Sequence, residues 1–131
     1  MSVKNSVTTS DYLNFDSTLN KATKMIKTDR NYKIGFLILF GINTGLRISD
    51  ILKLRVEDLN QDSLSLIESK TNKKRVIRLN DNIKTAYRLL KERDKNIEGY
   101  VFTSNQKTVY SRQYVNRKLK EVLGTKSMAV S

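Results

Sequence analysis

The chain has 131 residues, 38% of them hydrophobic, a length that favours one hydrophobic core over two independent domains. It contains no histidine and no cysteine, which excludes His-based catalytic triads, most zinc sites, thiolate metal sites and disulfides. With 25 Lys and Arg against 13 Asp and Glu, the formal net charge is +12, which favours nucleic acid as the partner over an anionic membrane surface or an acidic protein.

A polar segment and two predicted helices open the chain. Residues 1–15 are polar with little periodicity, which is typical of a tail or an interdomain linker. Apolar residues at helical spacing predict a first helix from Asp16, with Asp16 or Ser17 as its cap. A second helix over about 32–43 is apolar on nearly all sides, so we expect it at the centre of the core. Its apolar run, IGFLILFGI, is too short to span a bilayer.

A short amphipathic helix is predicted within NTGLRISDILKLRVEDLN, after a turn at Gly45. Arg47 opens this helix, where a cation opposes the helix macrodipole at a cost of about 0.3–1 kcal/mol. One explanation is a surface ion pair with Asp50 at i+3. The other is an anion site in which the guanidinium and exposed backbone amides hold a phosphate and Asp50 orients the guanidinium. The residues alone leave both explanations open.

A basic β-hairpin is predicted next. Leu and Ile residues alternate with polar residues on both sides of SKTNKK, and Asn72 tolerates the positive φ that its turn requires. Such a density of cations is common in solvated loops, but on a protruding hairpin it can also approach a phosphate ester. A lysine there can give up a proton, which an arginine cannot. The cations of the hairpin are Lys70, Lys73, Lys74, Arg75 and Arg78.

Two further helices complete the predicted elements. One spans about residues 81–93 and is capped by Asp81 or Asn82; after the extended segment YVFTS, a last helix spans 111–123 and ends at Gly124. The predicted fold class is mainly α with a small antiparallel β-hairpin or sheet (α+β). The polar face of the last helix is typical of a solvated surface, but the net charge favours contact with a phosphate backbone. Its cations are Arg112, Arg117, Lys118 and Lys120.

Taken in this order, these stretches resemble the catalytic domain of the tyrosine recombinases, the phage integrase family. The motif is TGLRxS(D/E)(I/L)LxLxxxD, followed by SKTNKKRVIRL, VFTSN and SRQYVNRKLKEVL. The resemblance covers residues 16–131, about the first two-thirds of such a domain, and implies a truncated catalytic domain behind an N-terminal tail. The family's His-x-x-Arg box and nucleophilic tyrosine, which we expect after TKSMAVS, are not in this sequence.

The resemblance implies roles for individual residues. Arg47 matches the first catalytic arginine, which holds the scissile phosphate and stabilises the pentacoordinate transition state. Lys70 matches the hairpin lysine proposed to protonate the leaving 5′ oxygen, and Asp50 matches the acidic residue that supports the arginine. The family reaction passes through a 3′-phosphotyrosyl intermediate without metal or ATP, so no cofactor is expected. The predicted DNA-binding residues are Lys73, Lys74, Arg75, Arg112, Arg117 and Lys118.

The predicted function is therefore the DNA-binding part of a site-specific recombinase or integrase of a mobile element such as a prophage. Its expected partners are duplex DNA and other recombinase protomers, with neither a membrane nor a small-molecule ligand, in the cytoplasm at the nucleoid. Without a nucleophile the fragment itself is expected to be inactive. Two alternatives stay open: a noncatalytic DNA-binding modulator of recombination, and a small basic RNA-binding protein, against which the few exposed aromatic residues argue.

Overall fold

The computed structural model describes residues 12–125 and 127–130, so residues 1–11 of the predicted tail lie outside the described part. The fold is mainly α with one small antiparallel sheet, which confirms the predicted class. A short 3₁₀ helix was not predicted. The elements are α1 (Phe15–Thr28), α2 (Tyr32–Thr44), α3 (Ile48–Ile51), the 3₁₀ helix (Val56–Asn60), β1 (Ser63–Ile67), β2 (Lys74–Arg78), α4 (Asp81–Arg93) and α5 (Arg112–Leu123).

Helix α2 forms the centre of the core, as its apolar composition predicted. All residues from Ile34 to Ile42 are buried, because α1, α4 and α5 pack around the helix. The ring of Phe36 lies 6.0 Å from the ring of Phe102 and 6.2 Å from that of Phe40, measured between centroids. No helix in the described ranges is long and apolar enough to cross a membrane.

The helix caps differ from those predicted for α1 and α4. Asn14 accepts a hydrogen bond from the Ser17 amide at 2.9 Å, and Asn80 accepts one from the Ile83 amide at 3.0 Å. The predicted caps, Asp16 or Ser17 and Asp81 or Asn82, are wrong because a cap residue must keep extended backbone angles, and those residues are already helical.

The predicted hairpin is confirmed, with β1 and β2 antiparallel in a register that pairs Ser63 with Arg78 and Ile67 with Lys74. Asn72 adopts a φ of 57° in the connecting turn, as expected, and its amide donates to the Glu68 carbonyl at 2.8 Å. One face of the hairpin packs on the core, and the opposite face is exposed.

Candidate nucleic-acid interface

Arg47 stands in an exposed turn between α2 and α3. Gly45 ends α2 in the left-handed conformation, with φ at 70°, and its amide donates to the Gly41 carbonyl at 2.8 Å. Leu46 is buried and fixes the turn to the core, whereas Arg47 is exposed. Among the described residues, its guanidinium has no carboxylate in ion-pair range and no hydrogen-bond acceptor. The sequence expectation that Arg47 faces outward therefore holds.

The helix dipole that Arg47 was expected to oppose is weaker than the sequence suggested. Helix α3 has only 4 residues, and Arg47 is its cap rather than its first helical residue. A single turn has little macrodipole to oppose and offers little electrostatic help from its amides. Binding of an anion at this turn would therefore depend on the guanidinium itself.

Asp50 is not the surface partner of Arg47 that the spacing suggested. Its side chain is buried, and its Oδ1 accepts hydrogen bonds from the Ser69 amide at 3.0 Å and the Ser69 hydroxyl at 2.7 Å. The Lys53 ammonium lies 3.6 Å from the same oxygen. Burial alone would raise the pKa of Asp50, but the Ser69 hydrogen bonds and Lys53 together hold that pKa below its ordinary value. Asp50 therefore connects α3 to the hairpin.

Arg75 forms a second connection between the hairpin and this turn. Its Nη2 donates to the Thr44 carbonyl at 2.8 Å, and its Nη1 lies 3.6 Å from a carboxylate oxygen of Glu68. Thr44 is the last residue of α2, where the backbone carbonyls have no partner within the helix. Its carbonyl precedes Arg47 by three positions and Asp50 follows by three, so the hairpin is fixed on both sides of Arg47.

The lysines of the hairpin turn are exposed. Lys70 directly follows Ser69, the residue bound to Asp50, and so belongs to the part of the turn held against α3. Lys70, Lys73 and Lys74 form no ion pair with the described residues. The structure thus attaches the lysine turn to the helix that begins after Arg47.

Residues 13–129 match the family model described as the phage integrase family. The chain belongs to this family. Over 96 residues it is 41% identical to the probable integrase/recombinase YoeC of Bacillus subtilis strain 168, a match that covers 72% of this chain and 50% of the relative. The chain therefore spans about half the length of that relative.

Solved recombinase structures share the fold of this phage integrase family member. The XerA recombinase superposes with a TM-score of 0.64 at 17% identity, over 89% of this chain and 42% of that one. A lambda integrase tetramer bound to a Holliday junction superposes with a TM-score of 0.62 at 19% identity, over 88% of this chain and 35% of that one. At these identities the likeness establishes the fold.

The C-terminal segment of this integrase-family chain also reaches Arg47, which the sequence did not indicate. Met128 and Ala129 line a cleft of about 280 Å³ together with Arg47 and its neighbours, and no tyrosine is among the described residues that line it. The Ala129 carbonyl accepts from the Leu13 amide at 2.9 Å, so the segment is held against the start of α1.

The predicted cations of α5 are partly engaged within the protein. Arg117 and Lys118 lie 3.9 and 3.7 Å from Glu121, and both stand over the ring of Tyr114. Lys118 is half-buried, whereas Arg112 is exposed. The contribution of this helix to DNA binding stays a prediction. Arg112 and Lys120 are its exposed cations that form no ion pair with the described residues.

A second polar cluster, which sequence reasoning missed, lies at the opposite end of α2. The Lys33 ammonium donates to the carbonyl and the hydroxyl of Thr103, both at 3.1 Å, and lies 3.8 Å from Asp94. Asp94 also accepts from the Tyr32 hydroxyl at 3.0 Å. Burial lowers the pKa of Lys33, and Asp94 partly opposes that change. Because each group has a partner, the cluster is explained by packing alone.

Proposed function

We propose that this chain binds duplex DNA through Arg47 and the hairpin lysines, as part of a site-specific tyrosine recombinase that cleaves and rejoins DNA. One observation carries the proposal: Arg47 is exposed without a partner in the described ranges, while Asp50 accepts from Ser69 of the hairpin turn and Arg75 of the hairpin donates to Thr44. Apart from Asp50 Oδ2, which has no hydrogen-bond partner in the described ranges, these supporting groups are bonded within the protein, and one guanidinium is left open. Such a surface is suited to an external anion.

In the proposed reaction, the guanidinium of Arg47 binds non-bridging oxygens of the scissile phosphate and stabilises the charge of the pentacoordinate transition state. The tyrosine hydroxyl loses its proton to solvent, and its oxygen forms a bond to phosphorus as the bond from phosphorus to the 5′ oxygen breaks. The Lys70 ammonium donates its proton to that leaving oxygen. The product is a 3′-phosphotyrosyl ester, which a 5′ hydroxyl can attack to rejoin the strand. Asp50 supports this geometry through Ser69.

The proposed reaction takes its nucleophilic tyrosine from outside these 131 residues. Several tyrosines are committed to packing, and burial against Tyr114 raises the pKa of Tyr110 to about 12. Met128 and Ala129 line the cleft beside Arg47, so a His-x-x-Arg box following them in a longer chain would begin close to this arginine. We therefore expect the present 131 residues to bind DNA without cleaving it.

Assembly on DNA is part of the proposal. The lambda integrase structure that shares this fold is a tetramer on a Holliday junction, which supports other recombinase protomers as partners. A noncatalytic modulator would need the same DNA surface, but no contact within the described ranges favours it. A small RNA-binding protein would instead prefer single-stranded RNA over duplex DNA in competition.

The decisive experiment is duplex binding by fluorescence anisotropy over a range of salt concentrations. We expect a dissociation constant of roughly micromolar order with a steep salt dependence. Arg47→Ala should weaken binding about tenfold, because a charge-assisted contact is lost. A variant with alanine at Lys70, Lys73 and Lys74 should also lower the salt slope.

The matched control is Arg88→Ala, which removes the same charge from an exposed position on α4. It should change affinity less than about twofold, because remote exposed charges are screened. Equal losses of affinity for Arg47→Ala and Arg88→Ala would mean that DNA binding depends only on net charge, and would overturn the proposed site at Arg47. No binding at low salt would overturn the proposed function.

A further inference from the structure

We infer that Arg75 is a positioning residue, not a phosphate contact. Together with the bond between Ser69 and Asp50, it holds the lysine turn, the hairpin turn that contains Lys70 and Lys73, at a fixed place relative to Arg47. This reassigns a residue that the sequence placed among the DNA-binding cations. The inference rests on the proposed function for its purpose, but the contacts that carry it are independent of DNA. We call the two links, Arg75 to Thr44 and Ser69 to Asp50, the hairpin bridges.

The direction of the Arg75 side chain separates it from the other hairpin cations. Arg75 pairs with Leu66 in the strand register and shares the core-facing side of the hairpin with it. It is half-buried, whereas Lys73, Lys74 and Arg78 are exposed. A cation whose guanidinium bonds to the end of α2 is poorly placed to serve a phosphate at the same time.

The chemistry of the first bridge requires an arginine. The guanidinium presents donors in a planar fork, and one of its nitrogens serves the Thr44 carbonyl while the other faces Glu68. A lysine in this position keeps the charge but has a single ammonium nitrogen, so it cannot reproduce both contacts in this geometry. Arg75→Lys therefore disrupts this pair of contacts without removing a charge.

The two bridges together prevent a rotation of the hairpin relative to α2 and α3 that either bridge alone would permit. The first holds the β2 strand to the end of α2, and the second holds the turn before Lys70 to α3. Lys53 reinforces the second bridge by donating to the Ser69 hydroxyl at 2.7 Å. Because Arg47 lies between the two attachment points, the hairpin and the arginine turn are expected to move as one unit.

The first test uses the DNA-free protein and amide hydrogen exchange. Arg75→Lys should speed exchange about tenfold in residues 44–48 and 68–72, because a charge-assisted hydrogen bond that restrains both turns is lost. Arg78→Lys is the matched control, an exposed arginine of the same strand, and should leave exchange there unchanged. Unchanged exchange in Arg75→Lys would overturn the inference. If Arg75→Lys fails to fold, Ser69→Ala tests the second bridge and should speed exchange in the same residues.

The second test uses duplex binding and a double-mutant cycle. In the wild-type background, Arg47→Ala and Lys70→Ala should be non-additive, because both side chains are held toward one phosphate. In the Arg75→Lys background we expect their effects to become additive, with the salt slope unchanged. Persistent coupling would overturn the inference, and so would Arg75→Ala lowering the slope by about 1, the signature of a lost phosphate contact.

The two tests distinguish a failure of the proposed function from a failure of the positioning role of Arg75. If the wild type does not bind duplex DNA, the proposed function fails, but hydrogen exchange still decides whether the bridges couple the two turns. If binding is normal and exchange does not respond to Arg75→Lys, the site survives and the positioning role of Arg75 is wrong.

Discussion

The two ends of α2 each have a cation nearby, and these two cations lie in opposite environments. At the N-terminal end, the Lys33 side chain is only 11% exposed and its ammonium contacts Thr103 and Asp94. Just past the C-terminal end, Arg47 is exposed and has no partner in the described part of the chain. One cation completes a closed network, and the other is left open while the residues around it are engaged.

The difference shows what distinguishes a candidate binding cation from a structural one. Burial and bonding partners distinguish the two kinds of cation. A half-buried charge needs a partner within the protein, whereas an exposed charge with fixed surroundings can bind an external anion. The larger cleft lies at the Lys33 end, with a volume of about 750 Å³, and the cleft at Arg47 is smaller. Cleft size alone would therefore favour the Lys33 end over the end that we propose as the DNA surface.

The largest expected effect contrasts two glycines of α2. A Cβ on Gly35 would lie 2.8 Å from the Met25 Cβ and 2.9 Å from the Ala22 carbonyl oxygen, whereas one on Gly41 would meet the flexible end of Met128. In Gly35→Ala, overpacking against these rigid atoms should cost about 3 kcal/mol, and the higher helix propensity of alanine should recover about 1 kcal/mol. We therefore expect the free energy of unfolding to fall by about 2 kcal/mol. Thermal denaturation should show a Tm lower by roughly 8 °C.

Gly41→Ala is the control for that substitution. Its methyl group can be accommodated by rotation of Met128, so the helix propensity gain should leave the Tm unchanged or slightly raised. A similar loss in both variants would mean that the C-terminal segment is as rigid as the contact between α1 and α2. The expected rotation of Met128 away from the added methyl group would then be wrong.

The next effect separates the two cations directly. Lys33→Met should lower the free energy of unfolding by about 1 kcal/mol, because Asp94 and Thr103 lose a donor in a half-buried site. Arg47→Ala should change it by less than about 0.5 kcal/mol, as is usual for an exposed side chain without partners. Urea denaturation measures both values.

Duplex binding should reverse that order. Lys33→Met should bind as the wild type does, and Arg47→Ala should bind more weakly. A Lys33→Met variant that folds normally but loses DNA binding would show that the closed network also serves the DNA surface, and the contrast between the two ends would no longer hold.

Much of the fold could be predicted from the sequence, and the reasons are local. The unbroken apolar run of α2, the helical spacing in α4 and α5, and Gly124, with a φ of 78°, each follow from periodicity or backbone freedom. The 3₁₀ helix was missed because it has too few residues for a periodic pattern. The caps at Asn14 and Asn80 were assigned too late in the chain, since boundaries depend on backbone angles that composition does not specify.

The site could be predicted only in part. Motif order predicted Arg47 and Lys70 as site residues, and their roles stay a prediction. Spacing suggested that Asp50 faces Arg47, because i and i+3 are neighbours on a helix. The structure places Asp50 against Ser69, 19 positions away, and Arg75 against Thr44, 31 positions away. No local pattern encodes contacts of that range. The Lys33 cluster was missed for the same reason, since Thr103 is 70 positions from Lys33.

The smallest expected effect is a pH dependence that distinguishes the buried acid of the Arg47 end from an exposed one. The pKa of Asp50 in the folded protein lies below its ordinary value, so its stabilising contribution is complete above that ordinary value and is lost as the pH falls through the lower folded pKa. Asp50→Asn should remove this acid-dependent part. Urea denaturation from neutral to acid pH should therefore show wild type and variant converging at low pH.

Asp62 provides the comparison that tests whether burial protects the contacts of Asp50 from screening by salt. Lys84 at 2.8 Å also lowers the pKa of Asp62, so its contribution has the same sign, but this pair is exposed. Salt screens exposed pairs strongly and buried ones weakly, so molar salt should abolish the difference between Asp62→Asn and wild type. The difference produced by Asp50→Asn should persist. Equal screening of both would mean that water reaches Asp50, and that the hairpin separates from α3 often enough to leave Lys70 unfixed relative to Arg47.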